Sequence, residues 1–283
     1  MRICKTRLRF YRECRDAARP LVLVPTMGAL HEGHIALVRK ARRRAGASGT
    51  VVATLFVNPK QFDVKEDLDR YPRPYAKDVA ILRAQEVDLV FAPAASEMYA
   101  EDHSTWVVED GLSQGYCGAS RPGHFRGVTT VVMKLLQLAR PDEAVFGAKD
   151  YQQLAVIRRM VRDLDVPVRI VAHPTVREAD GLALSSRNIR LSKEERGVAP
   201  RFYQALRAVR DAIVAGPVTP REAEILFSRR LADVGCFKID YFGVANPETL
   251  EPLPPTVPAR PPLVLLGAVF LGETRLIDNL LLK

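Results

Sequence analysis

The sequence predicts an α/β protein, a Rossmann-like doubly wound parallel sheet followed by a smaller C-terminal α+β domain. Three observations carry that prediction. Short apolar runs recur up to about residue 175 and alternate with segments of helical spacing, the βα pattern of a parallel sheet. The first of these runs opens directly into a glycine-containing loop and a helix start, as nucleotide-binding α/β domains do. After residue 175 the texture changes to two charged helices followed by three strand-like runs. Domains are expected at 1–175 and 176–283.

In chain order, 1–19 is charged, with Leu8, Tyr11 and Cys14 spaced for a short surface helix. LVLV, Leu21 to Val24, reads as a buried strand that Pro25 ends because it lacks a donor for the ladder. Ile35, Leu37, Val38 and Ala41 then recur at helical spacing. Gly46 to Gly49 is a turn, and VVATLFV, Val51 to Val57, is a second buried strand, which completes a βαβ unit. Asn58 to Pro74 reads as a loop, Asp78 to Ala84 as a helix and DLVFA, Asp88 to Ala92, as a third strand. Thr105 to Val108 is expected as a further strand. Gly111 to Gly123 is glycine-dense and irregular, and Val128 to Leu138 is an amphipathic helix that Pro141 stops. EAVFG, Glu143 to Gly147, a helix carrying Leu154, Ile157 and Val161, and VPVRIVA, Val166 to Ala172, close the series. Beyond it, Ser192 to Val214 and Pro220 to Val234 read as helices, and Lys238 to Val244, Leu263 to Phe270 and Thr274 to Asp278 as strands. PLPPTVPARPP, Pro252 to Pro262, is a stiff connector.

Composition excludes several classes. The 283 residues are 47% apolar and 27% charged, ordinary for a globular chain long enough to bury a sizeable core. The net charge of +9 fits nucleic acid, a membrane surface or an anionic small substrate, and plain solubility is the default reading. The basic run from Arg39 to Arg44 has no interleaved aromatics, so it is expected as a solvated helix face rather than a single-strand platform. The four cysteines form no C-x-x-C pair and suggest neither a zinc site nor a disulfide framework. The N-terminus lacks the apolar core of a secretory signal, and the longest apolar run, Leu263 to Leu271, falls short of the ~20 residues of a membrane span. There is no Walker loop and no G-x-G-x-x-G after a strand, which argues against a P-loop kinase or a dinucleotide-dependent dehydrogenase.

In open α/β sheets ligands bind beyond the carboxyl ends of the strands. Four stretches fall there or at the expected domain junction: TMGALHEGH, FVNPKQF, FGAKDYQQ and GLALSSRN. In the first, His31 and His34 lie three apart at a helix start, where free N–H groups and the dipole already attract anions. That points to phosphate. The helical zinc motif spaces its histidines four apart and is the weaker reading. Asn58 and Gln61 suit hydroxyls or a carboxylate on a small molecule, or a polar turn cap. Lys149 brings a compact positive charge and Asp150 a possible helix cap. Arg187 suits a fork onto phosphate oxygens beside Ser185 and Ser186, or the stretch is a capping loop.

Together PTMGALHEGH, LFVNPKQF, RPGHFRGVTTVVMKLL, FGAKDYQQL and READGLALSSRN resemble the pantoate–β-alanine ligase family, a member of the His-x-Gly-His nucleotidyltransferase superfamily, over nearly the whole chain. The resemblance implies ATP-dependent condensation of (R)-pantoate with β-alanine through a pantoyl-adenylate, with AMP and pyrophosphate as products. It implies Mg²⁺ as well as ATP, and a cytoplasmic homodimer with no nucleic-acid or membrane partner. By motif, Met27, Gly28, Ala29, Leu30, His31, Glu32, Gly33 and His34 would line the ATP site. Gly147, Ala148, Lys149, Asp150, Val176, Leu184, Ser185, Ser186 and Arg187 would complete it. His34, His31, Lys149 and Arg187 would be catalytic, with Asn58, Gln61 and Gln153 on pantoate and Gln61 also beside β-alanine. Two departures stand out. Leu184 occupies a position where many relatives have Met, and GLSQGYCG, Gly111 to Gly118, is unusual before RPGHF. The first domain would bind nucleotide and pantoate. The second would act as a lid, with a hinge near 179–184. Another adenylyltransferase of the superfamily, which stops at the adenylylated product, is the competing reading.

Overall fold

The computed structural model describes residues 1–283. In chain order the regular elements begin with β1 (Arg2–Cys4), α1 (Arg7–Arg15), β2 (Leu21–Val24), α2 (Glu32–Ala45) and β3 (Thr50–Thr54). Next come α3 (Lys65–Asp69), α4 (Tyr75–Ala84), β4 (Leu89–Phe91), α5 (Ala95–Met98), α6 (Cys117–Ser120) and α7 (His124–Ala139). They continue with β5 (Glu143–Gly147), α8 (Tyr151–Asp163), β6 (Arg169–His173), α9 (Lys193–Val198), α10 (Pro200–Ala215) and α11 (Pro220–Ala232). The last three are β7 (Phe237–Ala245), β8 (Leu263–Leu271) and β9 (Thr274–Leu282).

The chain divides into two compact units. The first holds Met1–Ser113, Arg121–Ala148 and Gln153–Pro174; the second holds Gln114–Ser120, Lys149–Gln152 and Thr175–Lys283.

The first unit contains a six-stranded sheet of order β1-β4-β3-β2-β5-β6, parallel at every pairing. Strands β2 to β4 build one way and β5 to β6 the other, so the order reverses between β2 and β5, where Val22 pairs with Glu143 and Leu23 with Ala144. This is the doubly wound sheet expected. Its central strands LVLV and TVVAT are buried at every position, which is why they read as continuous apolar runs.

Several expectations are corrected. The N-terminal segment holds a strand as well as a helix: β1 adds parallel to β4, and Phe10 and Cys14 of α1 are fully buried. A three-residue strand with one arginine carries too little pattern to be read locally. Thr105 to Val108 is not a strand. The N–H of Val107 donates to Thr130 Oγ1 at 3.0 Å and its carbonyl accepts from Thr129 Oγ1 at 2.6 Å, so α7 side chains satisfy this backbone where a neighbouring strand would. The loop at 58–74 contains α3. Ser192 to Val214 is two helices, α9 and α10, because Pro200 has no N–H to continue the first. The basic run of α2 is partly paired: Arg42 meets Asp88 at 2.5 Å and Arg44 meets Glu143.

The second unit packs α10 and α11 on an antiparallel sheet of order β7-β8-β9. Phe202, Leu206, Phe227, Leu231, Leu265 and Val269 form its core. Gly267 of β8 lies under Phe202, where a Cβ would come within 3.0 Å of the ring. The segment at 179–184 is not a boundary between the units. It is the turn of a hairpin inside the second unit, and the division falls at Pro174–Thr175.

Candidate active site

The carboxyl end of β2 runs into Pro25–Leu30 and then α2. The side chain of Thr26 donates to the Thr54 carbonyl at 2.5 Å, and its N–H donates to Thr54 Oγ1 at 3.1 Å, which ties the ends of β2 and β3 together. Gly28 and Ala29 follow in the left-handed region at φ +85° and +50°. Their conformation is fixed by Asp78 in the first turns of α4, whose two carboxylate oxygens accept the N–H groups of Ala29 and Leu30, each at 2.8 Å.

His31 is the N-cap of α2 and His34 its third residue. His31 Nδ1 accepts the Gly33 N–H at 3.1 Å, and His34 Nδ1 faces the His31 N–H at 3.4 Å, a capping box built from imidazoles. The rings lie 4.1 Å apart, tilted by 48°. An imidazole whose Nδ1 accepts from backbone carries its proton on Nε2 when neutral. Both rings therefore carry an N–H donor at a helix N-terminus. This is a donor set for an anion, at the point where the strand order reverses.

The turn after β3 brings Asn58 and Gln61 together. Asn58 is 1% exposed. Its amide donates to Gln61 Oε1 at 3.0 Å and to the Gly127 carbonyl at 3.1 Å, and its Oδ1 accepts from the Tyr99 hydroxyl at 2.8 Å. A side chain so enclosed holds the Gln61 amide in place. Gln61 Nε2 lies 3.1 Å from Met27 Sδ, so this turn touches the loop after β2. The Gln61 carbonyl meets His124 Nδ1 at 2.7 Å. Gly127 permits the whole contact: a Cβ there would lie 2.1 Å from the Lys60 carbonyl oxygen. Beside this turn a cavity of about 400 Å³ is lined by Met27, Gly28, Phe56, Arg73, Tyr75, Asp78 and apolar neighbours.

At the end of β5, Gly147 pairs with His173 of β6, and the Ala148 N–H donates to the His173 carbonyl at 2.8 Å. The chain then passes to Lys149 and Asp150 in the second unit. There the Lys149 carbonyl accepts from Asn279 Nδ2 of β9 at 2.8 Å. Val176 and Leu184 are opposite rungs of the 176–184 hairpin, joined by the Leu184 N–H on the Val176 carbonyl at 3.0 Å. Ser185 caps the 3-10 turn Ser186–Arg190 by accepting the Arg187 N–H at 3.2 Å. The hairpin is pinned by Arg177, which pairs with both oxygens of buried Asp278 at 2.5 and 2.8 Å and lies 3.7 Å over the Tyr203 ring. Burial pushes the Asp278 carboxyl up, and Arg177 pulls it partly back.

The expected site residues thus gather in two sets. Met27 to His34, Asn58, Gln61, Gly147, Ala148 and Gln153 belong to the first unit. Lys149, Asp150, Val176 and Leu184 to Arg187 belong to the second. Sequence reading missed the residues that hold these sets in place: Asp78, Gly127, Tyr99, Arg177, Asp278 and Asn279. Two carried a signal, since a glycine inside an apolar helix marks a close approach and an acid inside an apolar strand marks a buried charge. Asp78 carried none, because an acid in a first helical turn reads as an ordinary dipole partner.

An imidazole-capped helix N-terminus at the switch point of a doubly wound sheet is the architecture of nucleotide-binding α/β enzymes. The comparisons with known proteins specify which. A family model described as pantoate-beta-alanine ligase matches residues 2–281, and the chain belongs to that family. A pantothenate synthetase of Marinobacter nauticus is 50% identical over 278 residues, spanning 98% of this chain and 95% of its own. The crystal structure of pantothenate synthetase from Thermus thermophilus superposes with a TM-score of 0.91 at 47% identity, covering 99% of both chains. That of the Francisella tularensis pantoate-beta-alanine ligase, complexed with β-γ ATP and β-alanine, gives 0.82 at 31% identity, covering 99% of this chain and 97% of that one.

Proposed function

We propose that this enzyme ligates (R)-pantoate to β-alanine at the expense of ATP, through a pantoyl-adenylate, and so makes pantothenate, AMP and pyrophosphate. The observation that carries the reading is the family match over 2–281, joined to an anion-donor set at the switch point. In the first half-reaction the pantoate carboxylate attacks the α-phosphorus and pyrophosphate leaves. Negative charge grows on the leaving group, and the Nε2 donors of His31 and His34, with Lys149 and Arg187, stabilise it. Gln61 and Gln153 hold pantoate, and Gln61 also stands beside β-alanine. Gly28 to Gly33, Ala148, Asp150, Val176 and Leu184 to Ser186 shape the nucleotide pocket. In the second half-reaction the free amine of β-alanine attacks the acyl carbonyl and AMP departs, with no covalent enzyme intermediate.

The chain gathers no group of three His, Cys, Asp or Glu side chains able to hold a metal. Mg²⁺ binds through phosphates and keeps its waters, so it enters as part of the Mg·ATP substrate. No helix is long and apolar enough to cross a membrane. A homodimer working in the cytoplasm is the assembly and compartment this reading takes. An acyl-adenylate hydrolyses easily, and the domain at 176–283 would act as a lid that excludes water.

The test is exchange of labelled pyrophosphate into ATP. Exchange that needs pantoate but not β-alanine supports the adenylate. Exchange without pantoate, or only when β-alanine is present, overturns it. An enzyme that releases pantoyl-adenylate and ignores β-alanine would instead be a simple adenylyltransferase.

A further inference from the structure

We propose that Asp78 is a positioning residue of the catalytic machinery: its carboxylate sets the backbone of Gly28 to Leu30 and, through it, the helix N-terminus that carries His31 and His34. The proposal rests on the ligase reading for its kinetic consequence and on geometry alone for the clamp.

Asp78 is 2% exposed and lies 48 and 49 residues from its two partners. Each oxygen takes one of two successive N–H groups, those of Ala29 and Leu30. Presenting successive N–H groups to one carboxylate bends the chain, and Ala29 is accordingly held at φ +50°, where a residue with a Cβ is strained. Gly28 makes room. A Cβ on it would lie 2.9 Å from Asp78 Oδ2. The Gly28 N–H turns the other way, onto Thr26 Oγ1 at 3.2 Å.

The N–H groups of Gly28, Ala29 and Leu30 therefore all donate to protein acceptors. A carboxylate beneath an anion-binding loop opposes phosphate by its charge, and it occupies two donors that phosphate would otherwise take. Its return is geometric: the strained turn delivers His31 one residue later as the N-cap of α2. Only a carboxylate can do this, since an amide in the same place offers one acceptor and turns an NH₂ toward the other N–H.

The experiment uses the full chain and two readouts on Asp78→Asn and Gly28→Ala. Hydrogen exchange of the Ala29 and Leu30 amides reports the clamp, and pantoate-dependent pyrophosphate–ATP exchange reports the chemistry. Asp78→Asn is expected to speed exchange of those two amides about tenfold or more. It should lower the rate of ATP–pyrophosphate exchange about 10- to 100-fold, as misplacing a catalytic group by about 1 Å does, and leave the pantoate KM where it was. Gly28→Ala pushes on the same carboxylate from the loop side and should give the same split if the Asn variant does not fold. A variant with unprotected Ala29 and Leu30 amides but wild-type turnover overturns the proposal, as does unchanged amide protection. Should the wild type show no pantoate-dependent exchange, the ligase reading fails, and amide protection alone still decides the clamp.

Discussion

Two buried aspartates, one in each unit, stand behind loops that carry candidate residues of their own unit, and they are satisfied by opposite means. Asp78 is matched to the dipoles of two backbone N–H groups. Asp278 is matched to a full charge, the Arg177 guanidinium, with the Asn279 N–H as a third partner at 2.8 Å. A carboxylate on backbone amides fixes φ and ψ of the residues that own those amides, so it is suited to shape a turn. A carboxylate on a guanidinium fixes side chains and joins separate elements, here the 176–184 hairpin to β9. Breaking the first should show in turnover. Breaking the second should show in stability.

The largest effect tests that division directly. Arg177→Ala takes the guanidinium from buried Asp278 and leaves Lys149 as the positive charge still acting on it, and removal of one partner from a buried pair costs about 3–5 kcal/mol. Urea unfolding measures it, and a loss under about 1 kcal/mol would show that the backbone already holds the charge. The pH dependence has a definite sign. A carboxyl whose folded-state affinity for protons is raised contributes stability that fades as pH rises through its range. The Arg177→Ala deficit should therefore shrink as the solution is acidified toward the carboxylate range, where protonated Asp278 needs no cation.

His34→Ala should behave in the reverse way. Adenylate formation should slow about 10²–10³-fold, the usual loss when a charge-stabilising donor is removed, while folding loses only about 1 kcal/mol from the capping box. Single-turnover adenylation with pantoate distinguishes this from weakened ATP binding. Normal adenylation in that variant would take His34 out of the chemistry.

Gly127→Ala tests the turn that Gln61 sits on. Its Cβ would meet the Lys60 carbonyl oxygen at 2.1 Å. Overpacking of that kind costs about 1–3 kcal/mol, and because the displaced peptide joins Lys60 to Gln61, whose Cα would lie 2.7 Å from the new Cβ, the pantoate KM should rise with it. A KM that stays put would mean the turn yields without moving the amide.

The smallest effect separates surface from core. Cys236 is exposed, whereas Cys4, Cys14 and Cys117 are buried. One thiol should react quickly with a disulfide reagent at mild pH, and the other three only after unfolding. Burial pushes the Cys14 thiol from its ordinary 9.0 up to about 12. The unfolded chain therefore sheds that proton first, and stability should fall as pH climbs from 9.0 toward about 12.

Much of this molecule was legible before folding. LVLV, TVVAT and EAVFG are buried at or near every position, and a strand that meets helices on both faces must be apolar throughout, so its pattern is local. His31 and His34 were legible for a similar reason: an N-cap and its third residue are neighbours in sequence, so their pairing needs no tertiary contact. What escaped was long-range. Asp78 finds its partners 48 and 49 residues away, and Asp278 finds Arg177 across 101. Thr105 to Val108 has strand composition, yet α7 hydroxyls took its hydrogen bonds.

The amino-acid order by itself determined the alternating βα pattern, the imidazole-capped helix start and the motifs that mark the family, because each rests on residues within a few positions of one another. Only the tertiary structure decided which strand ends became neighbours and which buried carboxylates fix the loops between them. A buried charge must find a partner wherever the fold supplies one, and that place is not written near it in the chain.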